Sequence, residues 1–358
     1  MKVYHILEDY SLQSGGIRTV VKDLKEHVSI NSEIITTNKE LIDKNVKYFE
    51  TNNKWQYSKE LKCYLNEVVK EPKKVFHIHG VWMFPQFLAS KLAILNRSPF
   101  LLTPHGMFEP WLWKQGYVKK LFYYKLLSKQ KFNKANIIHA ITHDEKINLH
   151  KIFNNKVNIE VIPNLISTQI IPNLEDFFSE EKYILFLGRI HPKKGIKLLI
   201  KVFSRIKQTQ FKLKIAGPDS HHKQELVRLV NKLNLDDKVH FVGMVKGKEK
   251  FKLYKGAHVF VAPSYSEVIG MVNLEAAIMG TPVITTFQTG LLKEWNNEGG
   301  FLIQPNENEL EQALTKSFSW SELERKDRGN RLKEFVLTNY SWERNKHKWE
   351  ELYNSLIH

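Results

Sequence analysis

The chain has 358 residues, enough for two ordinary domains, and carries 54 Lys+Arg against 38 Asp+Glu for a formal net charge of +16. A single cysteine, Cys63, excludes a disulfide framework and a cysteine zinc site and points to a reducing, cytoplasmic setting. Met1–Leu7 does not read as a signal peptide, and no apolar run approaches the length of a membrane span.

The first strand is expected at Val3–Leu7. Ser14-Gly15-Gly16-Ile17-Arg18 follows and leads into an amphipathic helix over Thr19–His27. Strand, Gly-Gly turn and helix together make an anion-cradling arrangement, although a lone Gly-Gly pair also serves as a plain tight turn. Further strands are expected at Val75–Gly80, Phe100–Thr103, Asn136–Thr142 and Val157–Pro163, with a helix starting near Thr142. Short apolar strands alternating with helical stretches indicate an open α/β domain. His77 and His79 fall on one face of their strand. That spacing admits metal ligation, but His79, at the strand end, is expected to line a cleft. Lys114–Lys134 is aromatic and basic, with seven lysines and no acids. It reads as a solvated helical face, a membrane-docking segment with Tyr117, Phe122 and Tyr123 at the interface, or a nucleic-acid contact.

Ser167–Glu181 is polar, acidic and contains Pro172, as a linker would. The α/β pattern then restarts. Strands are expected at Tyr183–Gly188, Phe211–Gly217, Val239–Gly243, Ala257–Ala262, Pro282–Thr286 and Phe301–Ile303. Helices are expected at Ile196–Ile206, Lys223–Leu233, Lys248–Gly256, Met271–Met279, Glu307–Phe318 and Leu323–Thr338. His221-His222 is expected to be exposed at a helix start. A last helix begins at Ser341-Trp342 with a capping serine. Two such domains in tandem enclose a cleft, a common ligand site.

The chemistry concentrates in the second half. Arg189 and Lys194 lie in the loop after one strand; Glu267, Gly270 and Glu275 follow another. Cations at strand carboxyl ends, facing a helix N-terminus, suit a diphosphate. The carboxylates suit ribose and sugar hydroxyls. No Asp-x-Asp and no zinc motif occurs, so no metal or other cofactor is expected.

Gly188-Arg189-Ile-His-Pro-Lys-Lys194-Gly195 resembles the Gly-Arg-(x)n-Lys-Gly loop of retaining family 4 glycosyltransferases. Glu267-(x)7-Glu275, followed by Gly280-Thr-Pro-Val283, resembles their twin-glutamate signature, and Ser14-Gly15-Gly16 their N-terminal glycine loop. Thr103-Pro-His-Gly-Met107 with Glu109-Pro-Trp111 resembles a bacterial surface-polysaccharide subgroup, and Ser341-Trp342 the start of the closing helix. One departure is Val268-Ile269, where the family has Gly-Phe; Val268 would reshape the pocket around the donor sugar.

The resemblance implies a GT-B fold: two Rossmann-like α/β domains facing across a cleft, with a C-terminal helix crossing back to the N-terminal domain. The expected boundaries are 1–165, a linker at 166–182, 183–340 and the helix 341–358. It further implies that Arg189 and Lys194 hold the departing diphosphate, that Glu267 meets the donor sugar, and that His105 reaches that sugar from the first domain. Gly15, Gly16, Gly188, Gly270, Met271, Val272, Glu275 and Met244 would complete the donor site, with Glu275 on the ribose. The implied reaction moves a sugar from a nucleotide diphosphate donor, UDP-sugar before GDP-mannose, to a glycan or lipid-linked acceptor in surface polysaccharide (lipopolysaccharide or capsule) synthesis. Anomeric configuration would be retained, and the enzyme would sit on the inner membrane face through the 111–134 segment, without nucleic acid. The rival readings are a nucleotide-sugar epimerase or phosphorylase on the same architecture and a basic nucleic-acid-binding protein. No Gly-x-Gly-x-x-Gly follows a strand, which disfavours a dehydrogenase.

Overall fold

The computed structural model describes residues 1–357 except 12, 13, 15, 39–45, 110–116, 154–156, 175, 176, 178 and 207–209, and not the side chains of 117–119 or 170. The chain divides into two compact units, Met1–Asn164 with Lys346–His358, and Leu165–Asn345.

The first unit is built on parallel strands β1 (Lys2–Leu7), β2 (Asn31–Thr36), β3 (Val46–Tyr48), β4 (Lys74–His79), β5 (Phe100–Thr103), β6 (Ile137–Ala140) and β7 (Ile159–Val161). They lie in the order β3-β2-β1-β4-β5-β6-β7. The helices are α1 (Gly16–His27), α2 (Lys59–Val68), α3 (Phe84–Leu95), α4 (Tyr117–Tyr123), α5 (Lys129–Phe132) and α6 (His143–Ile152), with a π-helical turn Tyr124–Ser128 between α4 and α5. Five of these strands were legible in the sequence. The other two, β2 and β3, form one edge. The polar start of β2, Asn31-Ser32-Glu33, and the exposed Lys47 in β3 hide their periodicity. Tyr4, Ile6, Phe76, Ile78, Phe100 and Leu102 put a fully covered apolar row under α2 and α3. Burying each side chain stabilises the unit by about 1.5–3 kcal/mol relative to exposure.

The second unit repeats the plan. Its strands are β8 (Tyr183–Leu187), β9 (Lys212–Ala216), β10 (Val239–Gly243), β11 (Val259–Ala262), β12 (Val283–Thr286) and β13 (Phe301–Ile303), all parallel, in the order β10-β9-β8-β11-β12-β13. Its helices are α7 (Ile196–Arg205), α8 (His221–Lys232), α9 (Gly247–Gly256), α10 (Met271–Ile278), α11 (Glu307–Phe318) and α12 (Glu322–Tyr340). α7 buries Ile196, Leu198, Leu199, Ile200, Val202 and Phe203, an apolar stripe at helical spacing. The stretch expected to link the domains falls within this unit. The Ile166 N–H donates to the Tyr340 carbonyl at 2.7 Å, and Lys255 Nζ to the Leu174 carbonyl.

The closing helix α13 (Trp342–Asn354) starts in the second unit, and its residues from Lys346 onward group with the first. There Trp349 and Tyr353 are buried against β4 and β6: the Trp349 ring lies 4.5 Å from that of His139, and Tyr353 Oη is 2.7 Å from His77 Nδ1. Among the described residues no helix is long and apolar enough to cross a membrane.

In both sheets the strand order reverses at one point, between β1 and β4 and between β8 and β11. Connections leave in opposite directions there, so a crevice opens at the strand carboxyl ends.

Candidate functional site

In the second unit, three loops leave the carboxyl ends of β8, β11 and β12 and are stitched together by backbone contacts. The Tyr265 N–H donates to the Lys193 carbonyl at 2.8 Å, the Glu267 N–H to the Gln288 carbonyl at 2.9 Å, and the Gly270 N–H to the Thr289 carbonyl at 3.3 Å. Thr286 Oγ1 donates to the Ser264 carbonyl at 2.6 Å. Gly195 makes the first junction possible. Its φ is +71°, and a Cβ there would lie 2.0 Å from the Pro263 carbonyl oxygen, so only glycine fits.

This stitching brings Lys194, on the β8 loop, into an ion pair with Glu267, on the β11 loop. Both side chains are nearly covered, at 12 and 13% exposure. Lys193 is half-buried beside them, and burial lowers its pKa, with Glu267 opposing and Lys194 and Arg189 adding to the fall. Gly270 is the N-cap of α10, so Met271 and Val272 open that helix as the sequence implied. The Met271 N–H, expected to await an anion, donates to the Ile269 carbonyl at 3.1 Å. Glu275, one turn further in, accepts from Lys250 Nζ at 2.9 Å and Tyr254 Oη at 2.8 Å, both on α9. Neither partner was singled out from the sequence. Their spacing of four on a helix was the available signal.

Other site residues stand differently. Gly188 lies at the end of β8, where its carbonyl oxygen would be 2.0 Å from a Cβ on Gly217. Arg189 is exposed, because the loop turns the next residue, Ile190, into the core instead. Met244 is 61% exposed after β10. Of the two departures from the family pattern, Ile269 is buried and Val268 only partly so. His222 is partly covered and pairs with Glu225 at 3.0 Å, whereas His221 is exposed as expected.

In the first unit, Gly16 opens α1, and among the described residues a Cβ there would meet nothing within 4 Å. Gly15 lies outside the described residues, as do 111–116 of the basic segment. Tyr123 turns inward rather than toward an interface: its ring lies 6.0 Å from Trp82, and its Oη donates to the Met83 carbonyl at 3.1 Å. Among the described side chains of that segment, Phe122 and Leu126 are the exposed large apolar ones, at 63 and 72%.

His105 follows β5 in a left-handed conformation, φ +53°, and Gly106 continues at +72°. Glu145 of α6 fixes this turn. Thr142 caps the helix by accepting from the Glu145 N–H at 3.1 Å. The buried Glu145 carboxyl accepts from the N–H groups of Gly106 and Ile141, each at 2.7 Å. Burial raises its pKa to about 7, against the pull of those two hydrogen bonds. The Thr-x-x-Glu signature was present in the sequence, but a capping box would turn the glutamate to its own helix N-terminus rather than to the His105 turn.

Behind His105 lies a group of histidines that the sequence did not reveal as a unit. His79, expected to line a cleft, is fully buried. His79 Nδ1 meets His105 Nε2 at 2.9 Å, and His79 Nε2 meets His5 Nδ1 at 3.0 Å. His77 and His139 form a second chain through Thr103. Burial lowers His5 to about 3 and His139 to about 4, and takes His77 and His79 well below the ordinary value. All four are neutral at pH 7. Nitrogens of His5, His77 and His79 lie within 4.8 Å of one another, close enough for a cation. The hydrogen bonds already engage both nitrogens of His77 and of His79.

Residues 168–334 match the model for glycosyl transferases group 1, and residues 37–170 match that for glycosyltransferase family 4. The uncharacterized glycosyltransferase MJ1178 of Methanocaldococcus jannaschii is 30% identical over 75% of this chain and 72% of its own length. The gpi3 subunit of phosphatidylinositol N-acetylglucosaminyltransferase from Schizosaccharomyces pombe is 27% identical over 81% of this chain. The chain spans 63% of that relative and 42% of MJ1607, another uncharacterized M. jannaschii glycosyltransferase that is 36% identical over 46% of this chain. Among solved structures, sucrose-phosphate synthase from Thermosynechococcus elongatus superimposes with a TM-score of 0.78 at 21% identity, covering 100% of this chain and 99% of that one. Anabaena Alr3699/HepE in complex with UDP gives 0.81 at 14% identity, covering 99 and 100%. These structural likenesses show the GT-B fold. Sequence motifs, family models and fold agree, and the chain belongs to the family 4 glycosyltransferases.

Proposed function

We propose that the protein transfers a glycosyl group from a nucleoside diphosphate sugar, with retention of anomeric configuration and without a metal ion. The observation that carries this reading is the Lys194–Glu267 pair held beside the N-terminus of α10 at the sheet's switch point. An ammonium has three donors, so Lys194 can keep Glu267 and still meet a phosphate oxygen. It would hold the diphosphate with Arg189 and stabilise the charge as the sugar leaves. Glu275, oriented by Lys250 and Tyr254, would accept from the ribose hydroxyls. Glu267 and His105 would contact the sugar. With no covalent intermediate, rate enhancement would come from positioning and fixed charge.

A UDP-sugar is the first expectation for the donor, since Anabaena Alr3699/HepE is a structural neighbour in complex with UDP and with UDP-glucose; GDP-mannose is second. The acceptor would be a glycan or lipid-linked saccharide in lipopolysaccharide or capsule synthesis at the inner face of the cytoplasmic membrane. Phe122 and Leu126, four residues apart and exposed beside Lys125 and Lys129, support membrane docking. A thermal-shift screen with UDP, GDP, ADP and CDP and their sugars, without divalent metal, tests the donor reading. The cognate nucleotide binds the native state and raises Tm. No shift with any of them, with or without magnesium, would refute it.

A further inference from the structure

The two histidine chains of the first unit differ in a way that bears on His105. In the chain through Thr103, every proton position follows from one anchor. His139 Nε2 lies 2.7 Å from the Ile162 carbonyl, which only accepts, so this nitrogen carries the proton. His139 Nδ1 is then an acceptor and takes the Thr103 hydroxyl proton at 3.1 Å. Thr103 Oγ1 in turn accepts from His77 Nε2 at 2.7 Å, and His77 Nδ1 accepts from Tyr353 Oη at 2.7 Å. This chain has one permitted direction.

Among the described residues, the chain His5–His79–His105 meets no carbonyl at either end. Three neutral rings with two shared protons allow two arrangements. In one, His5 Nδ1 donates to His79 Nε2 and His79 Nδ1 donates to His105 Nε2, which leaves the remaining proton on His105 Nδ1. In the other, both hydrogen bonds reverse, His105 Nδ1 is bare, and His5 Nε2 carries the proton. Each arrangement holds three ring protons and no net charge.

We propose that His5 and His79 are positioning residues that orient the His105 ring and couple its outer nitrogen, Nδ1, to the tautomer of a buried partner. The His105 ring then meets a substrate hydroxyl as donor or as acceptor without becoming an imidazolium. This inference rests on the reading that His105 faces the donor sugar. The fold supplies the geometry. β1 and β4 pair His5 with His77 in register, His79 lies two residues on along the same face, and Glu145 pins the left-handed turn that presents His105. The titratable groups around the ring are His79 of β4, His139 of β6, Glu145 of α6 and, beyond them, Glu109.

The test is a set of variants read by kinetics and by histidine nitrogen–proton NMR, which reports tautomer and protonation directly. His79→Leu removes both links. His79→Asn keeps an amide where Nδ1 stood and so retains the link to His105, while cutting the one to His5. His5→Asn serves if His79→Leu does not fold. In His79→Leu the donor KM should hold while kcat falls about tenfold or more, the value of one lost buried hydrogen bond. Its His105 should lose the coupled tautomer, while its pKa stays below the ordinary value, because burial and the nearby His139 set it. His79→Asn should recover much of kcat but show a mixed His105 tautomer. Thr103→Val, which cuts the other chain, should leave the His105 tautomer unchanged. If His105→Ala abolishes transfer while His79→Leu and His5→Asn keep wild-type kcat and tautomer, the coupling is overturned and the proposed function stands. If His105→Ala transfers normally, the placement of His105 at the sugar fails instead. A Tm rise with zinc that His5→Asn removes would make the rings a metal site and overturn the chain.

Discussion

Replacing Lys194 by methionine separates what the Lys194–Glu267 pair does for the fold from what it does for transfer. Methionine keeps most of the length and the apolar stem and removes only the charge. The stability cost follows from burial. Exposed pairs are worth about 0–1 kcal/mol, and breaking a fully buried one costs about 3–5 kcal/mol. At 12 and 13% exposure this pair falls between, so about 2 kcal/mol is expected. For a unit of this size that lowers Tm by about 4–8 °C. The catalytic cost is separate. Withdrawing one fixed positive group from a departing diphosphate should reduce kcat by about 100- to 1000-fold, roughly 2.7–4 kcal/mol of barrier. Adding Glu267→Gln removes the stranded carboxylate, so the double variant should regain most of the lost Tm and none of the lost kcat. The assays are initial rates at saturating donor and scanning calorimetry. A Lys194→Met enzyme that loses its several degrees yet turns over within about threefold of wild type would show the pair to be a structural staple, and the leaving-group role would fall.

Glu275→Ala should weaken nucleotide binding by about tenfold, the worth of a charge-assisted hydrogen bond, with a smaller effect on the chemical step; unchanged affinity by calorimetry would argue against ribose binding there. The buried histidines set the acid limit of the first unit. Their folded pKa values lie below the unfolded value of about 6.5, so this stability is complete above pH 6.5 and is lost as pH falls toward the folded values. At pH 5 His5 and His139 each cost about 2 kcal/mol, and His77 and His79, lowered by burial as well, add in the same direction. Glu145, raised to about 7, runs the other way and returns only about 2 kcal/mol between pH 7 and 5. Hydrogen exchange followed from pH 7 to 5 should therefore open β1, β4 and β6 before β8, β11 and β12, and the reverse order would refute this. Phe122→Ser with Leu126→Ser should reduce flotation with anionic vesicles at low salt. A wild-type protein that never floats with them sinks the membrane reading.

The sequence by itself determined the sheet-and-helix plan of the second unit and the loop residues that its candidate site brings together. Each signal there is local. Gly195 ends one loop because a backbone must pass close to it, and Glu267 and Glu275 are placed by the short stretch that runs from β11 into α10. Local rules also found Thr142 as a helix start and the Ser341-Trp342 boundary. What tertiary structure alone decided is how distant residues meet. His5, His79 and His105 lie on three separate stretches, and only the parallel order β1-β4-β5 brings their rings into one hydrogen-bonded row. Periodicity showed that His77 and His79 share a face, but it could not tell a cleft wall from a buried layer, because α13 covers that layer from the far end of the chain. The same holds for Arg189 and Tyr123. Whether each side chain faces water depends on which neighbour arrives over it, and that is a property of the packed molecule rather than of local spacing.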